Sequence, residues 1–173
     1  QALLGGGTLA VAPQRMGLAA EIAWLAERGV THLSATPTLW RRILMAPGAG
    51  ALPVRQVTMG GEIADQAVLD AARACFPDAR LTHIYASTEA GVGFAVTDGR
   101  AGFPLTFTET APGGVGMRIA GGQLWLRPPD GRVPRYLGGQ TLEVDAEGHV
   151  ATGDRVEILD DRAHFLGRDS GAV

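Results

Sequence analysis

Four short segments hold side chains with the means to do chemistry. The sharpest is His83-Ile84-Tyr85-Ala86-Ser87-Thr88-Glu89. It sets two hydroxyls and a carboxylate just past Leu81 to Tyr85, which reads as a strand. In open α/β sheets ligands bind at the carboxyl ends of the strands. Hydroxyls there can donate to phosphate oxygens, and a carboxylate suits Mg²⁺, a hard cation that prefers oxygen ligands. The same residue types also cap turns and helix starts, so the segment is not decisive alone. In the second segment, Thr58-Met59-Gly60-Gly61-Glu62, two glycines after a strand allow a ligand close to the backbone. Taken alone, it is a tight strand-to-helix turn with Glu62 near a helix N-terminus. The third is Thr152-Gly153-Asp154, whose carboxylate can accept from two ribose hydroxyls at roughly 1.5–3 kcal/mol per charged hydrogen bond. Its ordinary reading is a polar turn before a strand at Arg155. The fourth, Gly167-Arg168-Asp169, offers a rigid fork of donors to ribose or phosphate. Its ordinary reading is a solvated loop with a local ion pair.

The elements that must position these segments fall into two kinds. In the first half helices alternate with strands: strands are predicted at Thr8 to Ala12, Thr31 to Ala35, Val54 to Met59 and Leu81 to Tyr85. Helices are predicted at Leu18 to Arg28, closed by Gly29, at Thr38 to Met45 after Pro37 with Thr36 as N-cap, and at Ala64 to Cys75. Helices between such strands imply a mostly parallel sheet with covered faces. From about Phe103 short strands alternate with Gly, Pro and Asp turns: Gly116 to Ile119, Gln123 to Leu126, Thr141 to Val144, Arg155 to Leu159 and Ala163 to Leu166. Gly121-Gly122 and Asp160-Asp161 are hairpin signals. The expectation is an α/β fold: a mostly parallel, helix-flanked subdomain over residues 1–103, then a small antiparallel β-barrel-like subdomain over 104–173.

Composition removes several chemistries. All of the 15 basic residues are arginine, so no Schiff-base or phosphate-loop lysine comes from this chain. Cys75 is the single cysteine, which excludes an intrachain disulfide and a two-cysteine metal site. It reads as a buried, unreactive thiol. His32, His83, His149 and His164 lack metal-ligand spacing and read as structural or surface residues. The net charge of -3 argues against a nucleic-acid groove. No apolar run reaches the length of a membrane span and no signal peptide is evident, so the expected location is cytoplasmic. The oligomeric state is not legible.

In this order the four segments resemble the motifs of the AMP-forming adenylate ligase superfamily, which contains acyl- and aryl-CoA synthetases, peptide synthetase adenylation domains and luciferases. Tyr85-Ala86-Ser87-Thr88-Glu89 resembles the family's Tyr-Gly-x-Thr-Glu motif with alanine for glycine. Thr152-Gly153-Asp154 matches its Thr-Gly-Asp motif, and Gly167-Arg168-Asp169-Ser170 resembles its Gly-Arg-x-Asp hinge with the aspartate one place early. Ser34 to Leu39 looks like the segment beside the acid pocket, and Gly60-Gly61-Glu62 like the adenine-side loop. Pro134-Arg135-Tyr136 departs from the Gly-Tyr of relatives.

The resemblance implies roles. Tyr85 packs on adenine, with Gly60, Gly61, Glu62, Ala86 and Ser87 around the nucleotide. Thr88 meets the α-phosphate, Glu89 holds Mg²⁺, Asp154 holds the ribose with help from Arg168, and Asp169 is the hinge to a missing C-terminal domain. Ser34, Thr36, Met59, Gly91 and Gly93 lie near the acid pocket, and Trp40 is core unless it lines that pocket. The implied reaction joins a carboxylic acid to ATP, releasing pyrophosphate, and passes the acyl group to a thiol, of CoA by preference. The alternatives are an amino-acid adenylation domain serving a carrier protein and a non-catalytic AMP-binding or scaffold module. No aspartate stands in Ser34 to Pro37 to anchor a substrate amine, which favours the CoA reading. The family's phosphate-loop lysine and catalytic lysine are expected upstream and downstream, so this piece alone is expected to be inactive and to bind nucleotide weakly.

Overall fold

The computed structural model describes residues 4–88, 90, 92–110, 112–132 and 142–168, with Val92 described by its backbone alone. Helix α1 (Leu18–Glu27) ends on Gly29, whose φ of 60° suits a residue without Cβ. Strand β1 (His32–Ala35) leads into α2 (Pro37–Met45), where the Thr36 hydroxyl accepts from the Leu39 N–H and Pro37 opens the first turn. Strand β2 (Gln56–Gly60) is followed by α3 (Gln66–Cys75), capped by Asp65 accepting from Val68 N–H, and then by β3 (Arg80–Ser87). β1, β2 and β3 are parallel neighbours, as two right-sized crossovers through α2 and α3 require. β4 (Val92–Val96), which sequence reading passed over, turns back antiparallel beside β3.

The second sheet is entirely antiparallel. It holds β5 (Phe103–Pro104), β6 (Gly116–Ala120), β7 (Gln123–Arg127), β8 (Val150–Leu159) and β9 (Arg162–Arg168) in the order β5-β9-β8-β7-β6. Both anticipated hairpins form. Gly121 and Gly122 carry φ of 60° and 74°, the paired left-handed backbone of a tight hairpin, and Asp160 supplies φ 54° between β8 and β9.

Two expectations are corrected. Thr8 to Ala12 forms no strand: among the described residues no neighbour pairs with it, and Leu9 and Val11 face solvent. The Thr141 to Val144 run is reduced, among the described residues, to a single Val144–Val150 bridge. As expected, helices flank the first sheet, and among the described residues they pack on one of its faces. Leu33, Ala35, Val57, Met59 and Leu81 enter one core with Ile22, Trp40, Ile43, Val68, Leu69 and Ala72. Strand alternation turns Ser34, Thr58, Gly60 and Ile84 to the opposite face. A second core, with Phe94, Phe103, Leu124, Leu126 and Val150, fills the antiparallel sheet and reaches Tyr85.

Candidate functional site

Tyr85, Asp154 and Arg168 are far apart in sequence and meet where the two sheets join. Tyr85 projects from β3, Asp154 from β8 and Arg168 from the end of β9. The Tyr85 hydroxyl donates to Asp154 Oδ2, and Arg168 Nε donates to Asp154 Oδ1 at 3.0 Å. The carboxylate is 13% exposed and the guanidinium 34%, so the cluster is open on one side to a polar ligand. Burial, and then the bond to a carboxylate, push the Tyr85 phenol above its ordinary range. Its ring stacks on Phe165 at 4.9 Å and 13° and lies against Phe94 at 5.2 Å.

A bulge aims Asp154. Gln123 pairs with Arg155 and Trp125 with Ala151, so Thr152, Gly153 and Asp154 stand opposite Leu124 alone. Such an insertion bends the strand and redirects its side chains. Gly153 takes φ 77°, a backbone that β-branched or bulky residues rarely adopt. The buried Thr152 hydroxyl bonds the Leu124 carbonyl at 2.8 Å and so stands in for a ladder bond. Thr-Gly-Asp is therefore part of β8, in place of the turn its composition suggested.

The other expected residues that are described each take a definite place. Ser87 Oγ accepts from Ala90 N–H at 3.1 Å and holds the turn after β3, while Thr88 is exposed on it. Gly61 has φ 80°, the strained turn that its type was expected to serve. Glu62 caps α2 by accepting from Thr38 N–H at 2.9 Å, and the Thr38 hydroxyl, followed by this N–H, lowers its carboxyl below the usual range. This helix precedes Glu62, and the following one was expected. Met59, expected beside the acid pocket, is 1% exposed in the helix-side core because alternation turns it away from Ser34. Trp40 is core as well, with its indole N–H on the Thr58 carbonyl at 2.9 Å. Gly93 pairs with Ala86, and a Cβ there would overlap the Tyr85 carbonyl oxygen, so its bare backbone serves strand approach. Cys75 is half-buried and its thiol is pushed up by burial. Glu89, Gly91, Asp169 and the Pro134-Arg135-Tyr136 departure lie outside the described residues.

Two further concavities and clusters stand apart from this cluster. A cleft of about 150 Å³ between α1, α2 and the edge strand β1 is lined by Ile22, Leu25, Leu33, Ser34, Leu39 and Leu52 among others. Of the expected site residues that are described, only Ser34 borders it. Asp145, Glu147 and His149 gather closely enough to ligate a cation. Arg118 already bonds Asp145 at 2.9 Å, and Asp145 also accepts from the Glu147 and His149 N–H groups, so the carboxylates are committed to a turn. Sequence spacing missed the network around Asp98 and Arg162, described below, because its members are sixty-odd residues apart. No helix among the described residues is long and apolar enough to cross a membrane.

No curated protein matches the chain significantly. Solved structures do. A variant of E. coli MenE with bound OSB-AMS is 26% identical, with a TM-score of 0.61 over 91% of this chain and 33% of that one. PA1221, an NRPS protein containing adenylation and PCP domains, is 20% identical with a TM-score of 0.67 over 99% of this chain and 40% of that one. The amide bond synthetase McbA from Marinactinospora thermotolerans is 21% identical with a TM-score of 0.71 over 95% and 37%. This chain thus spans about a third of the length of the first of these structures. The sequence model described as AMP-binding enzyme matches residues 1–140, through the strand that carries Tyr85, and with this match the chain belongs to the AMP-binding enzyme family.

Proposed function

We propose that this chain supplies the ribose-facing part of the nucleotide site in an ATP-dependent ligase that activates a carboxylic acid as its acyl-adenylate. The observation that carries the reading is the Tyr85–Asp154–Arg168 cluster, assembled from both sheets at the carboxyl end of β3. An ionised carboxylate flanked by a guanidinium fits two adjacent ribose hydroxyls: it accepts from both while the arginine holds it in place. Thr88, exposed on the turn beyond β3, is the donor to the α-phosphate in this proposal. Glu89 follows it as the carboxylate for Mg²⁺, since an acidic oxygen beside hydroxyls is the donor set that a hard cation takes. Bound Mg²⁺ offsets the negative charge that gathers on the phosphate oxygens during attack. The acid is taken beside Ser34 and Ala86, on the sheet face turned away from the described helices.

The acyl group then passes to a thiol, CoA by preference, because Ser34 to Pro37 offers no carboxylate to an amine. The MenE relatives are CoA synthetases by description in one case, and PA1221 carries a PCP domain, so both acceptor types occur among similar folds. The test is ATP–pyrophosphate exchange by the full-length protein over fatty, aromatic and amino acids, with Glu89→Gln and Asp154→Ala alongside. Exchange with one acid class, lost in both variants, supports the reading and names the substrate. Tight AMP binding that depends on Asp154, without exchange on any acid, points to a non-catalytic nucleotide module.

A further inference from the structure

Outside the cluster, the most heavily committed polar side chain described is Arg162, the first residue of β9. It is 2% exposed. Its Nε donates to the Ala101 carbonyl at 2.9 Å, one terminal nitrogen to Asp98 Oδ2 at 2.6 Å, and the other to the Arg100 and Gly102 carbonyls at 3.1 and 3.3 Å. These acceptors all lie on the connection from β4, in the first sheet, to β5, in the second. The same connection is held from α3, where Gln66 bonds Gly99 O and Ala101 N, and from β3, where His83 donates to Arg100 O at 3.0 Å. At Gly102, with φ 70°, a Cβ would overlap the Ala163 carbonyl, so backbone packs directly on backbone beside the guanidinium.

On one side this end of β9 is paired in register with β8, Arg162 opposite Leu159 and Ala163 opposite Ile158, but on the side that faces β5 its backbone pairing is short. Its only partners on β5 are Ala163 with Phe103 and Arg162 with Pro104, and proline donates no ladder bond. Yet β9 carries two residues of the cluster's frame. Phe165, about 10 Å along the strand from Arg162 at the usual rise per residue, stacks on Tyr85, and Arg168, about 20 Å along, bonds Asp154. A slip of one residue would turn both to the wrong face. We propose that Arg162 is a positioning residue for the nucleotide cluster: by gathering the 98–102 connection, it locks β9 to the first sheet and so sets Asp154 and Arg168 against Tyr85. The proposal rests on the reading of that cluster as a ribose site.

The test is AMP affinity of the full-length protein by titration calorimetry, in a cycle of Arg162→Met, Asp154→Ala and the double variant, with urea unfolding of each. If Arg162 acts through Asp154, Arg162→Met weakens AMP about tenfold, within the coupling range of linked residues, and adds less than twofold on the Asp154→Ala background. Arg162→Lys, which keeps a charge for Asp98 but loses the fork that reaches three carbonyls, recovers part of the loss. Multiplying losses, or an Arg162→Met that lowers the urea midpoint while AMP affinity stays within twofold, overturn the positioning role. If Asp154→Ala itself leaves AMP affinity unchanged, the ribose reading falls, and that outcome is separate from the first two. Should Arg162→Met not fold, Asp98→Asn goes through the same cycle under the same criteria.

Discussion

At the scale of single residues, the hydroxyl of Tyr85 ties the two sheets together through a charged acceptor. Tyr85→Phe keeps the ring against Phe94 and Phe165 and removes only that donor. Loss of a hydrogen bond to a charged group costs about 1.5–3 kcal/mol, so urea unfolding at neutral pH is expected to show a drop of that size. A drop under a few tenths of that range would mean that Arg168 alone satisfies Asp154. The phenol also gives a pH signature. The folded chain holds its proton above the ordinary value of 10.0. The unfolded chain releases it there, so this group's contribution is full below about pH 10 and is lost as pH rises beyond it. Tyr85→Phe is expected to flatten that alkaline slope.

At the scale of elements, helix ends and strand spacing decide whether the motif residues reach their places. Thr36 and Glu62 both serve the N-terminus of α2, the helix that follows β1. Thr36→Ala is expected to cost about 1 kcal/mol, the usual worth of an N-cap hydroxyl, measured by thermal or urea unfolding. The pairing of β3 with β4 brings a stricter demand. Because a Cβ at Gly93 would meet the Tyr85 carbonyl, Gly93→Ala must push the strands apart. A destabilisation of about 3 kcal/mol, at the upper end for overpacking, is expected. Hydrogen exchange should show the loss concentrated at the Tyr85–Phe94 and Ser87–Val92 pairs; unchanged protection there would refute the steric account. The alternation of β2 likewise explains why Met59 lies in the helix-side core: adjacent strand residues face opposite ways, and only the position of the helices says which face is core.

At the scale of the whole molecule, two hydrophobic cores meet across β3 and the 98–102 connection. His83 sits at that junction, facing Arg100 O, Asp98 and Arg162. Burial is the largest influence on its imidazole and lowers its pKa from 6.5, against the raising effects of Arg100 O and Asp98. The unfolded chain therefore takes up a proton below pH 6.5 that the folded chain resists, and stability falls as pH drops through that window. His83→Gln is expected to remove this part of the acid slope in urea titrations between pH 5 and pH 7, a range set by the ordinary histidine pKa. An unchanged slope would place the acid sensitivity elsewhere.

Local chemistry was legible from residue types alone. Thr36 and Pro37 announced a helix start, Gly121-Gly122 a hairpin, and the order Tyr85 to Glu89, Thr152 to Asp154 and Gly167-Arg168 a nucleotide family, because caps, turns and motifs depend on a few adjacent side chains. Three matters depended on the tertiary structure. The unpaired course of Thr8 to Ala12 turned on whether a neighbouring strand was there to pair with it. The bulge that aims Asp154 arises from register against β7, which no single segment specifies. The convergence of Tyr85 with Asp154 and Arg168 joins residues from opposite sheets, that of Arg162 with Asp98 joins β9 to the connection between the sheets, and contacts between distant positions are set by packing in three dimensions rather than by spacing along the chain.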